Sequence, residues 1–351
     1  MKKVKIGFVG CGFMGQMAHL PNFAQDQRCE IVALADVRTN LARMVADKYS
    51  IPRVYSDHLK LIEDPEVDAI VEVTPDDWHA QIALDALRAG KHVYTEKPMA
   101  TTSRDAREMV RAANRHGVKL MVSYMKRFDP GVELAKRMLA EALLNGSLGS
   151  LTFARSHCFA GDWICNVGRP LHSDEAGPEP RQVNPAWLPQ DLIGEYRRYL
   201  NVFCHNINLL RHLLGNPREA KFSSFHPKTK ILLMEYTDYA AVVEAGSLSA
   251  RAWDEVTEIY TTDGKMTIST PPPLLKNVPA KVQLYRAGSR QTIETPLPPW
   301  DWSFRRCAGH FIECILEDKT PLSSGEDSAI DIELVEDAFK KLTRVEYDHR
   351  L

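Results

Sequence analysis

The sequence predicts an α/β domain built on a parallel sheet, followed by an α+β domain whose sheet is largely antiparallel. Apolar β-branched runs alternate with helical stretches over the first 124 residues, whereas strand-like runs later follow one another directly. The length agrees, because 351 residues correspond to about two domains at ~150 residues each. We therefore expect one domain over residues 1–124 and a second over residues 125–351.

The first domain is predicted from short strands that alternate with amphipathic helices. The strand-like runs are Val4–Val9, Glu30–Ala35, Ala69–Val73, His92–Tyr94 and Lys119–Val122. Apolar residues with helical spacing occur in Leu41–Tyr49, His79–Ala89 and Arg104–His116. Gly90 and Gly117 directly follow the last two of these helices and are typical stop signals. The alternation favours a parallel sheet with helices on both faces.

The second domain begins with a predicted helix, Val132–Leu144, and a predicted strand, Ser150–Cys158. The stretch from about residue 159 to 195 is irregular and rich in Pro and Gly, so we expect either a binding loop or a partly mobile segment. An amphipathic helix is predicted over Tyr199–Leu214. The later strands are Ile231–Tyr236, Ala241–Leu248, Val256–Thr261, Lys265–Ser269 and Lys281–Tyr285, and the closing helices are Phe304–Leu316 and Ser328–Leu342.

The composition is that of an ordinary globular protein, with 44% hydrophobic and 26% charged residues. The formal charge is −2, so no general field attracts nucleic acid or an anionic membrane. No apolar run approaches the ~18 residues of a membrane span, and we expect Lys2 and Lys3 to flank a first strand rather than open a signal peptide. The seven scattered cysteines contain no C-x-x-C pair, which favours reduced thiols and a cytoplasmic location.

A glycine-rich turn follows the first predicted strand. The pattern G-x-G-x-x-G is matched by Gly10-Cys11-Gly12-Phe13-Met14-Gly15. In such a turn the first glycine permits the sharp bend, the second lets a pyrophosphate approach, and the third allows close helix–strand packing. Asp36 stands 21 residues after Gly15, at the end of the second strand, where an acid binds the adenosine ribose. The alternative is an ordinary glycine turn with a solvent-exposed helix-cap aspartate. That alternative does not explain why the preceding strand, the spacing and the acid occur together.

Asp36 also bears on which dinucleotide is bound. A carboxylate accepts hydrogen bonds from the ribose hydroxyls and repels a 2′-phosphate, which favours NAD. Arg38, two residues further on, is included in the predicted cofactor site because it could pair with that phosphate instead. NAD is therefore the expected cofactor.

The run Gly90–Ala100, which contains Glu96-Lys97-Pro98, resembles the signature of the Gfo/Idh/MocA oxidoreductases. Thr74-Pro75 followed by His79, the run Lys126–Pro130 and the stretch Cys307–Gly325 extend the resemblance over nearly the whole chain. The resemblance implies an α/β Rossmann domain followed by an α+β domain with a large, mostly antiparallel open sheet. That sheet is often used to form oligomers, so we expect a homo-oligomer, either a dimer or a tetramer.

The resemblance also implies functional roles for individual residues. It assigns Thr74, Pro75, His79, Glu96 and Lys97 to the cofactor site, with the glutamate and the lysine lining the nicotinamide pocket. It further implies that the partner of the enzyme is a small carbohydrate rather than a nucleic acid or a membrane.

Lys97 is the first catalytic candidate. It follows a predicted strand at the carboxyl edge of the sheet, where open α/β folds place their ligands. Its ammonium can donate a hydrogen bond to the reacting oxygen and take part in proton transfer. The alternative is an exposed lysine in a solvated loop. The residues alone leave these interpretations even, and the resemblance favours the catalytic one.

Asn201, His205 and Asn208 form the second candidate group, because spacings of four and three place them on one side of a helix. His205 matches the family's proton-transferring histidine. The family usually has acids where Asn201 and Asn208 stand. An amide can orient a hydroxyl but cannot act as a base, so we expect Lys97 and His205 to share the proton transfer, with Asn201 assisting. The alternative is a histidine buried in a helix interface and satisfied by a backbone carbonyl.

Further substrate contacts are expected from Tyr124 and Arg127, at the same sheet edge, and from His157 and Trp163, at the start of the long irregular stretch. Arg127 could equally be an ordinary ion-paired arginine, and most tryptophans pack in cores rather than stack on sugars. His212 follows His205 by seven residues, but no carboxylate completes a metal triad. No metal is therefore expected.

Three functional hypotheses follow from these residues. The leading one is an NAD(H)-dependent oxidoreductase that moves a hydride between nicotinamide and a secondary alcohol of a sugar, glycoside or cyclitol. The second is redox-neutral glycoside cleavage, in which retained NAD oxidises a ring hydroxyl only transiently before elimination of the aglycone. The third is a catalytically inactive dinucleotide-binding protein, which the retention of Lys97 and His205 disfavours. An acidic sugar would suit a group of arginines that could equally be solvated loop charges: Arg155, Arg169, Arg181, Arg197 and Arg198.

Overall fold

The computed structural model describes residues 3–249 and 252–348. Lys2, predicted to flank the first strand, lies outside the described residues. The chain divides into two compact units. The first unit comprises Met1–Tyr124, Val167–Ala186 and Phe304–Ile332, and the second comprises Met125–Asn166, Trp187–Ser303 and Glu333–Leu351. We keep residues 1–124 and 125–351 as a proposed domain division, and we note that two later segments group with the first 124 residues.

The strands and helices of the described residues follow in chain order. The strands are β1 (Val4–Val9), β2 (Cys29–Ala35), β3 (Arg53–Tyr55), β4 (Ala69–Glu72), β5 (His92–Thr95), β6 (Leu120–Val122), β7 (Leu151–Ala160), β8 (Glu219–Phe225), β9 (Lys230–Glu235), β10 (Ala240–Ala245), β11 (Asp254–Thr261), β12 (Gly264–Ser269), β13 (Lys281–Arg286) and β14 (Thr292–Glu294). The helices are α1 (Leu20–Gln25), α2 (Thr39–Tyr49), α3 (His58–Ile62), α4 (Asp76–Arg88), α5 (Ser103–His116), α6 (Pro130–Leu144), α7 (Ile193–Arg198), α8 (Cys204–Leu214), α9 (Ser303–Leu316) and α10 (Gly325–Asp348).

The sheet of the first unit is parallel, with the strand order β3-β2-β1-β4-β5-β6. This is the strand order of dinucleotide-binding doubly wound folds, in which the chain direction across the sheet reverses between β1 and β4. All four residues of β4 are buried, as expected for a central strand covered on both faces. Ligands of such sheets bind outside the carboxyl ends of the strands near this reversal, so the loops after β1, β4 and β5 become the region of interest.

The aromatic core of the first unit includes residues from its last segment, Phe304–Ile332, which we call the late segment. The Tyr94 ring lies 5.5 Å from the rings of both Phe23 and Phe311, and its hydroxyl donates to Ser123 Oγ at 2.8 Å. Ser323 Oγ donates to the Val122 carbonyl at 2.7 Å. The late segment, with α9, is therefore an integral part of the core and edge of this sheet.

The sheet of the second unit has the strand order β14-β13-β12-β11-β7-β10-β9-β8. Its neighbouring strands are antiparallel except for the parallel pair β7 and β10. Burial alternates along β9 and β10, which is the pattern of a sheet packed on one face only. Helix α8 contacts β7 and β10, and it brings Ile207 and Leu210, both fully buried, to this core.

The predicted fold class is confirmed, and so is the mostly antiparallel character of the second sheet. The helix predicted over Tyr199–Leu214 is present and ends at the predicted residue, but its first turn, Tyr199–Phe203, is π-helical and only Cys204–Leu214 is α-helical. Elements without strong apolar periodicity were missed, namely β3, β8, β14, α3 and α7. Within the part of the chain that the structure describes, no helix has both the length and the apolar content needed to cross a membrane.

Candidate functional site

Two glycines of the turn after β1 lie where a side chain would clash with the backbone. Gly10 has φ +89°, and a Cβ there would lie 2.4 Å from the Val73 carbonyl oxygen. A Cβ on Gly15 would lie 2.7 Å from the Gly10 carbonyl oxygen. Both positions therefore need glycine so that the turn can pack against the strand end and the following helix.

Gly12 differs from its two neighbours in the motif. A Cβ there would meet nothing closer than Arg38 Nη2 at 3.6 Å, so the packing of the protein does not require glycine at this position. Gly12, Phe13 and Met14 are all partly exposed. The space beside Gly12 suits a group that approaches the backbone closely, and the first turn of a helix offers its N–H groups to phosphates. The residues of this turn therefore fit a dinucleotide.

Asp36 lies directly after β2 and its side chain is buried. Its carboxylate accepts a hydrogen bond from the Cys11 backbone N–H at 2.9 Å. The Arg38 guanidinium binds both carboxylate oxygens, at 2.9 Å from Nε and 2.8 Å from Nη2. Burial alone would raise the pKa of Asp36, but the bonds from Arg38 and Cys11 lower it below its ordinary value. The structure thus pairs the two residues predicted to contact the ribose end of the cofactor.

The loops that follow β4 and β5 are joined by a buried carboxylate. Glu72, fully buried at the end of β4, accepts hydrogen bonds from the Thr74 N–H at 2.8 Å and from the Thr95 hydroxyl at 2.6 Å. The Thr74 hydroxyl also donates to it, while Pro75 is exposed. A lone acid in the apolar run Ala69–Val73 was a readable signal of a partnered buried charge, and sequence reasoning missed it.

His79 lies between the same two loops. Its Nε2 is 2.8 Å from the Thr74 carbonyl oxygen and its Nδ1 is 2.8 Å from the Pro98 carbonyl oxygen. Carbonyl oxygens only accept hydrogen bonds, so both ring nitrogens must donate and the ring must be an imidazolium. Burial alone would lower the pKa of His79, but the Glu72 charge and the two carbonyls raise it above its ordinary value. His79 is predicted to contact the cofactor, and in the structure both of its ring nitrogens are hydrogen-bonded to backbone carbonyl oxygens of the protein.

Lys97 is half-buried and follows Glu96 directly after β5. Glu96 is buried; its Oε1 lies 2.7 Å from His19 Nε2, and its Oε2 accepts the Lys97 backbone N–H at 3.0 Å. Burial would raise the pKa of Glu96, but His19 and then Lys97 lower it to about 2. Glu96 is therefore an anchored carboxylate that fixes the backbone from which the Lys97 side chain extends. The peptide bond between Lys97 and Pro98 is cis.

Residues 167–186, which we call the strap segment, lie along the carboxyl edge of this sheet. Gln16 makes two hydrogen bonds to the backbone of Leu171, at 2.7 and 3.0 Å, and Thr101 donates to the Val183 carbonyl at 2.6 Å. The Arg181 guanidinium lies 4.6 Å from the Trp78 ring centroid. The segment thereby contacts residues that follow β1, β4 and β5. Sequence reasoning allowed a binding loop here but gave no sign that it would pack on the first unit.

In the second unit, the predicted helix face is divided between different environments. Asn201 is exposed in the π-helical turn, His205 is half-buried near the start of α8, and Asn208 is buried. The Asn208 Oδ1 accepts a hydrogen bond from Arg127 Nε at 2.6 Å. Arg127 is itself buried, so this pair fixes α8 to the turn at Met125–Phe128. π-Helical turns occur frequently at functional sites.

A buried polar network lies beneath α8. Lys126 pairs with Glu255, which also accepts from Asn206 Nδ2 at 3.2 Å and from the Thr270 hydroxyl at 2.8 Å. Asn206 further donates to Ser156 Oγ at 2.9 Å. The network joins a turn, a helix, two strands and the residue that follows β12, through residues far apart in sequence. No sequence motif indicated it.

The other predicted substrate residues are spread over the two units. Tyr124 is buried at the end of the first segment of the first unit. In the second unit, His157 Nε2 lies 2.8 Å from Asp254 Oδ1, and Trp163 is 39% exposed. Burial and the charges of Arg127 and Lys136 lower the pKa of His212 to about 3. His212 is therefore a neutral core histidine.

The predicted residues are divided between the two units. The first unit holds the glycine turn, the ribose-end pair Asp36 and Arg38, and the loops that carry Thr74, Pro75, His79, Glu96 and Lys97. The second unit holds Arg127, Asn201, His205, Asn208, His157 and Trp163. Several of the arginines considered for an acidic sugar contact other parts of the protein: Arg155 donates to Glu244 at 2.9 Å, Arg181 lies over Trp78, and the Arg198 guanidinium lies 5.6 Å from the Phe203 ring centroid.

The strand order, the glycine turn and the acid after β2 define a dinucleotide-binding Rossmann domain. The family model GFO_IDH_MocA, described as an oxidoreductase family with an NAD-binding Rossmann fold, matches residues 4–124. Residues 4–124 are therefore similar to the NAD-binding Rossmann domain of the Gfo/Idh/MocA oxidoreductases.

Two curated relatives are 26% and 28% identical to this chain over the aligned residues. An inositol 2-dehydrogenase from Acidothermus cellulolyticus is 26% identical over 279 residues, which cover 79% of this chain and 76% of the relative. A levoglucosan dehydrogenase from Pseudarthrobacter phenanthrenivorans is 28% identical over 222 residues, which cover 61% of this chain. That match spans about half of the relative, 52% of its length.

Solved structures show the same fold over almost the whole chain. A levoglucosan dehydrogenase in complex with NADH and levoglucosan has a TM-score of 0.73 at 21% identity and covers 97% of this chain and 98% of its own. An aldose-aldose oxidoreductase from Caulobacter crescentus complexed with glycerol has a TM-score of 0.75 at 21% identity, with 98% of both chains covered.

Proposed function

We propose that this protein is an NAD(H)-dependent dehydrogenase acting on a secondary alcohol of a sugar, a glycoside or a cyclitol. The observation that carries the proposal is the setting of Lys97: it follows β5 on a backbone anchored by Glu96, in the same unit as the glycine turn and Asp36. The named activities of the inositol and levoglucosan dehydrogenases support the substrate class.

The roles of the protein residues follow from their chemistry. Bound NAD would accept the hydride from the substrate carbon or return it. Lys97 donates a hydrogen bond to the reacting oxygen, and His205 takes the hydroxyl proton. Asn201 orients a hydroxyl through its amide, which can both donate and accept. Tyr124, Arg127, His157, Trp163 and Asn208 remain proposed substrate contacts.

The test is a turnover assay with NAD and a panel of neutral and acidic sugars, glycosides and cyclitols, followed by NADH fluorescence. We expect at least one class to be oxidised. Lys97→Met and His205→Ala should each lower kcat by on the order of 10²-fold to 10⁴-fold. Lys60→Met and His226→Ala are matched controls, because both residues are exposed and lie outside the proposed site. Unchanged rates in both Lys97→Met and His205→Ala would contradict these roles.

Redox-neutral glycoside cleavage is the second candidate function, and the strap segment favours it. A segment packed along the carboxyl edge of the nucleotide-binding unit suits a cofactor that stays bound through many turnovers. The test is release of aglycone from a nitrophenyl glycoside with no net NADH, together with NAD recovered from the purified, denatured protein. Turnover only in the presence of added NAD, with stoichiometric NADH, would reject this alternative.

Two further proposals concern state and location. We propose a homo-oligomer, a dimer or a tetramer, because the sheet of the second unit is covered on one face; light scattering of the purified protein tests it. We propose a cytoplasmic location, because the seven cysteines form no disulfide among the described residues.

Tight NAD binding without turnover across the panel of sugars, glycosides and cyclitols would support an inactive dinucleotide-binding protein rather than a dehydrogenase.

A further inference from the structure

The strap segment places a carboxylate at the start of α2. Glu175 accepts the Asn40 backbone N–H at 3.0 Å and the Leu41 backbone N–H at 3.1 Å. The Ser173 hydroxyl donates to it at 2.9 Å, and Thr39 Oγ1 lies 3.4 Å away. The bond from Asn40 and those from its other donors lower the pKa of Glu175 below its ordinary value. The side chain is therefore an ionised carboxylate seated on the first-turn N–H groups of this helix.

This carboxylate adjoins the pair that marks the ribose end of the cofactor. Arg38 is the N-cap residue of α2 and directly precedes Thr39. Its guanidinium binds both oxygens of Asp36, and the charge of Glu175 acts on it as well. Two carboxylates and Arg38 thus lie around the start of α2. A second arginine, Arg43, donates to the Asn40 side chain at 3.3 Å.

We propose that Glu175 is a specificity-determining residue that excludes dinucleotides carrying a 2′-phosphate. The inference deepens the proposed function and rests on its assignment of NAD to the first unit. It extends the role of Asp36, because a residue 139 positions later in the sequence supplies a second negative charge to the same end of the cofactor.

Three features of the geometry oppose a 2′-phosphate. A phosphate ester carries between one and two negative charges at neutral pH, and two carboxylates repel it. The arginine that could pair with it is committed to Asp36 through two hydrogen bonds. The helix N–H groups that would otherwise stabilise an anion already bind Glu175. NAD has no 2′-phosphate, so none of these three features opposes its binding.

A purely structural role for Glu175 makes a different prediction. If Glu175 only caps α2 and anchors the strap segment, its loss should lower thermal stability and weaken both dinucleotides equally. Asp174 provides the matched control, because it is exposed and adjacent to Glu175 in the sequence. Asp174→Asn removes one negative charge from the same segment while leaving the bonds to α2 in place.

The experiment is direct binding of NAD and NADP to the purified full-length protein by titration calorimetry, with Glu175→Gln, Glu175→Ala and Asp174→Asn. We expect the unaltered protein to prefer NAD. The ratio of NADP affinity to NAD affinity should rise about threefold in Glu175→Gln and about tenfold in Glu175→Ala, which also frees the helix N–H groups. It should not change in Asp174→Asn. Thermal midpoints, measured in parallel, report any loss of folding.

The outcomes separate this inference from the proposed function. An unaltered protein that binds NADP as tightly as NAD would overturn the inference. So would Glu175 variants with an unchanged affinity ratio on a protein that binds NAD. If the unaltered protein bound neither dinucleotide, the cofactor assignment itself would fail, and the inference with it.

Discussion

Lys97 and His205, the two proposed catalytic side chains, are held in place by different physical means. Lys97 stands on a loop whose backbone is fixed by two ionised side chains, the adjacent Glu96 and His79 from α4. His205 stands on helix α8. The next residue of that helix, Asn206, donates hydrogen bonds to Ser156 and Glu255 in the buried network. The loop should respond to the titration of its anchors, whereas the helix should respond to the loss of buried partners. Three changes test this contrast.

The largest effect is expected from the ion pair beneath α8. Lys126→Met leaves Glu255 as a buried charge without its counter-ion, which should lower the free energy of unfolding by about 3–5 kcal/mol. Urea denaturation measures it. Lys221→Met provides the control, because the Lys221–Glu235 pair is about 40% exposed on both sides and its loss should have a much smaller effect on stability. Equal losses in the two variants would show that the helix does not depend on buried partners.

A smaller and pH-dependent effect is expected at Glu96. Its pKa in the folded protein, about 2, lies below the ordinary 4.5, so its stabilising contribution is present above about pH 4.5 and is lost as the pH falls toward 2. Glu96→Gln should therefore lower the free energy of unfolding by on the order of 2–3 kcal/mol at pH 7, and the difference from the unaltered protein should shrink in acid. Glu63→Gln, at an exposed position, is the control. A difference that stays constant down to pH 3 would contradict the anchoring role.

The opposite pH dependence is expected at His79. Its pKa in the folded protein is raised, so its contribution is fully present below the unfolded value of about 6.5 and is lost as the pH rises through the folded value. His79→Gln can donate to only one of the two carbonyls, and we expect a loss of about 1–3 kcal/mol at pH 6 that declines in alkali. Nitrogen-15 shifts of the ring should show both nitrogens protonated at neutral pH. A single protonated nitrogen would refute the imidazolium.

The same contrast explains what the sequence could predict. Gly10–Gly15, Asp36 and Glu96-Lys97-Pro98 lie within local motifs, and the strands that carry them alternate regularly with helices. These residues were singled out as candidates, and five of the six strands of the parallel sheet were predicted with nearly correct bounds, whereas β3 was missed. The motif is readable because the chemistry of a phosphate-binding turn depends on neighbours only a few residues away.

The remaining features depend on residues brought together by the fold. Lys126 and Glu255 are 129 positions apart, and Glu175 reaches Asn40 across 135 positions. No local pattern records such a pairing. The π-helical turn at Tyr199–Phe203 also escaped prediction, because spacings of four and three were read on α-helical geometry. Asn201 and Asn208 consequently differ in exposure although the sequence placed them on one face.

The composition of the first unit has a consequence for the order in which the protein matures during synthesis. The Val122 N–H of β6 donates to the Ser323 carbonyl at 2.9 Å, and Met121 forms a β-bridge with Ser324. The Tyr94 ring likewise packs against Phe311, which is synthesised nearly as late. A ribosome that has made the first 124 residues has therefore not yet made the chain that seals their sheet edge and core. The nascent nucleotide-binding unit must stay soluble with this apolar surface open until almost the whole chain has emerged, which makes it a natural client for chaperones.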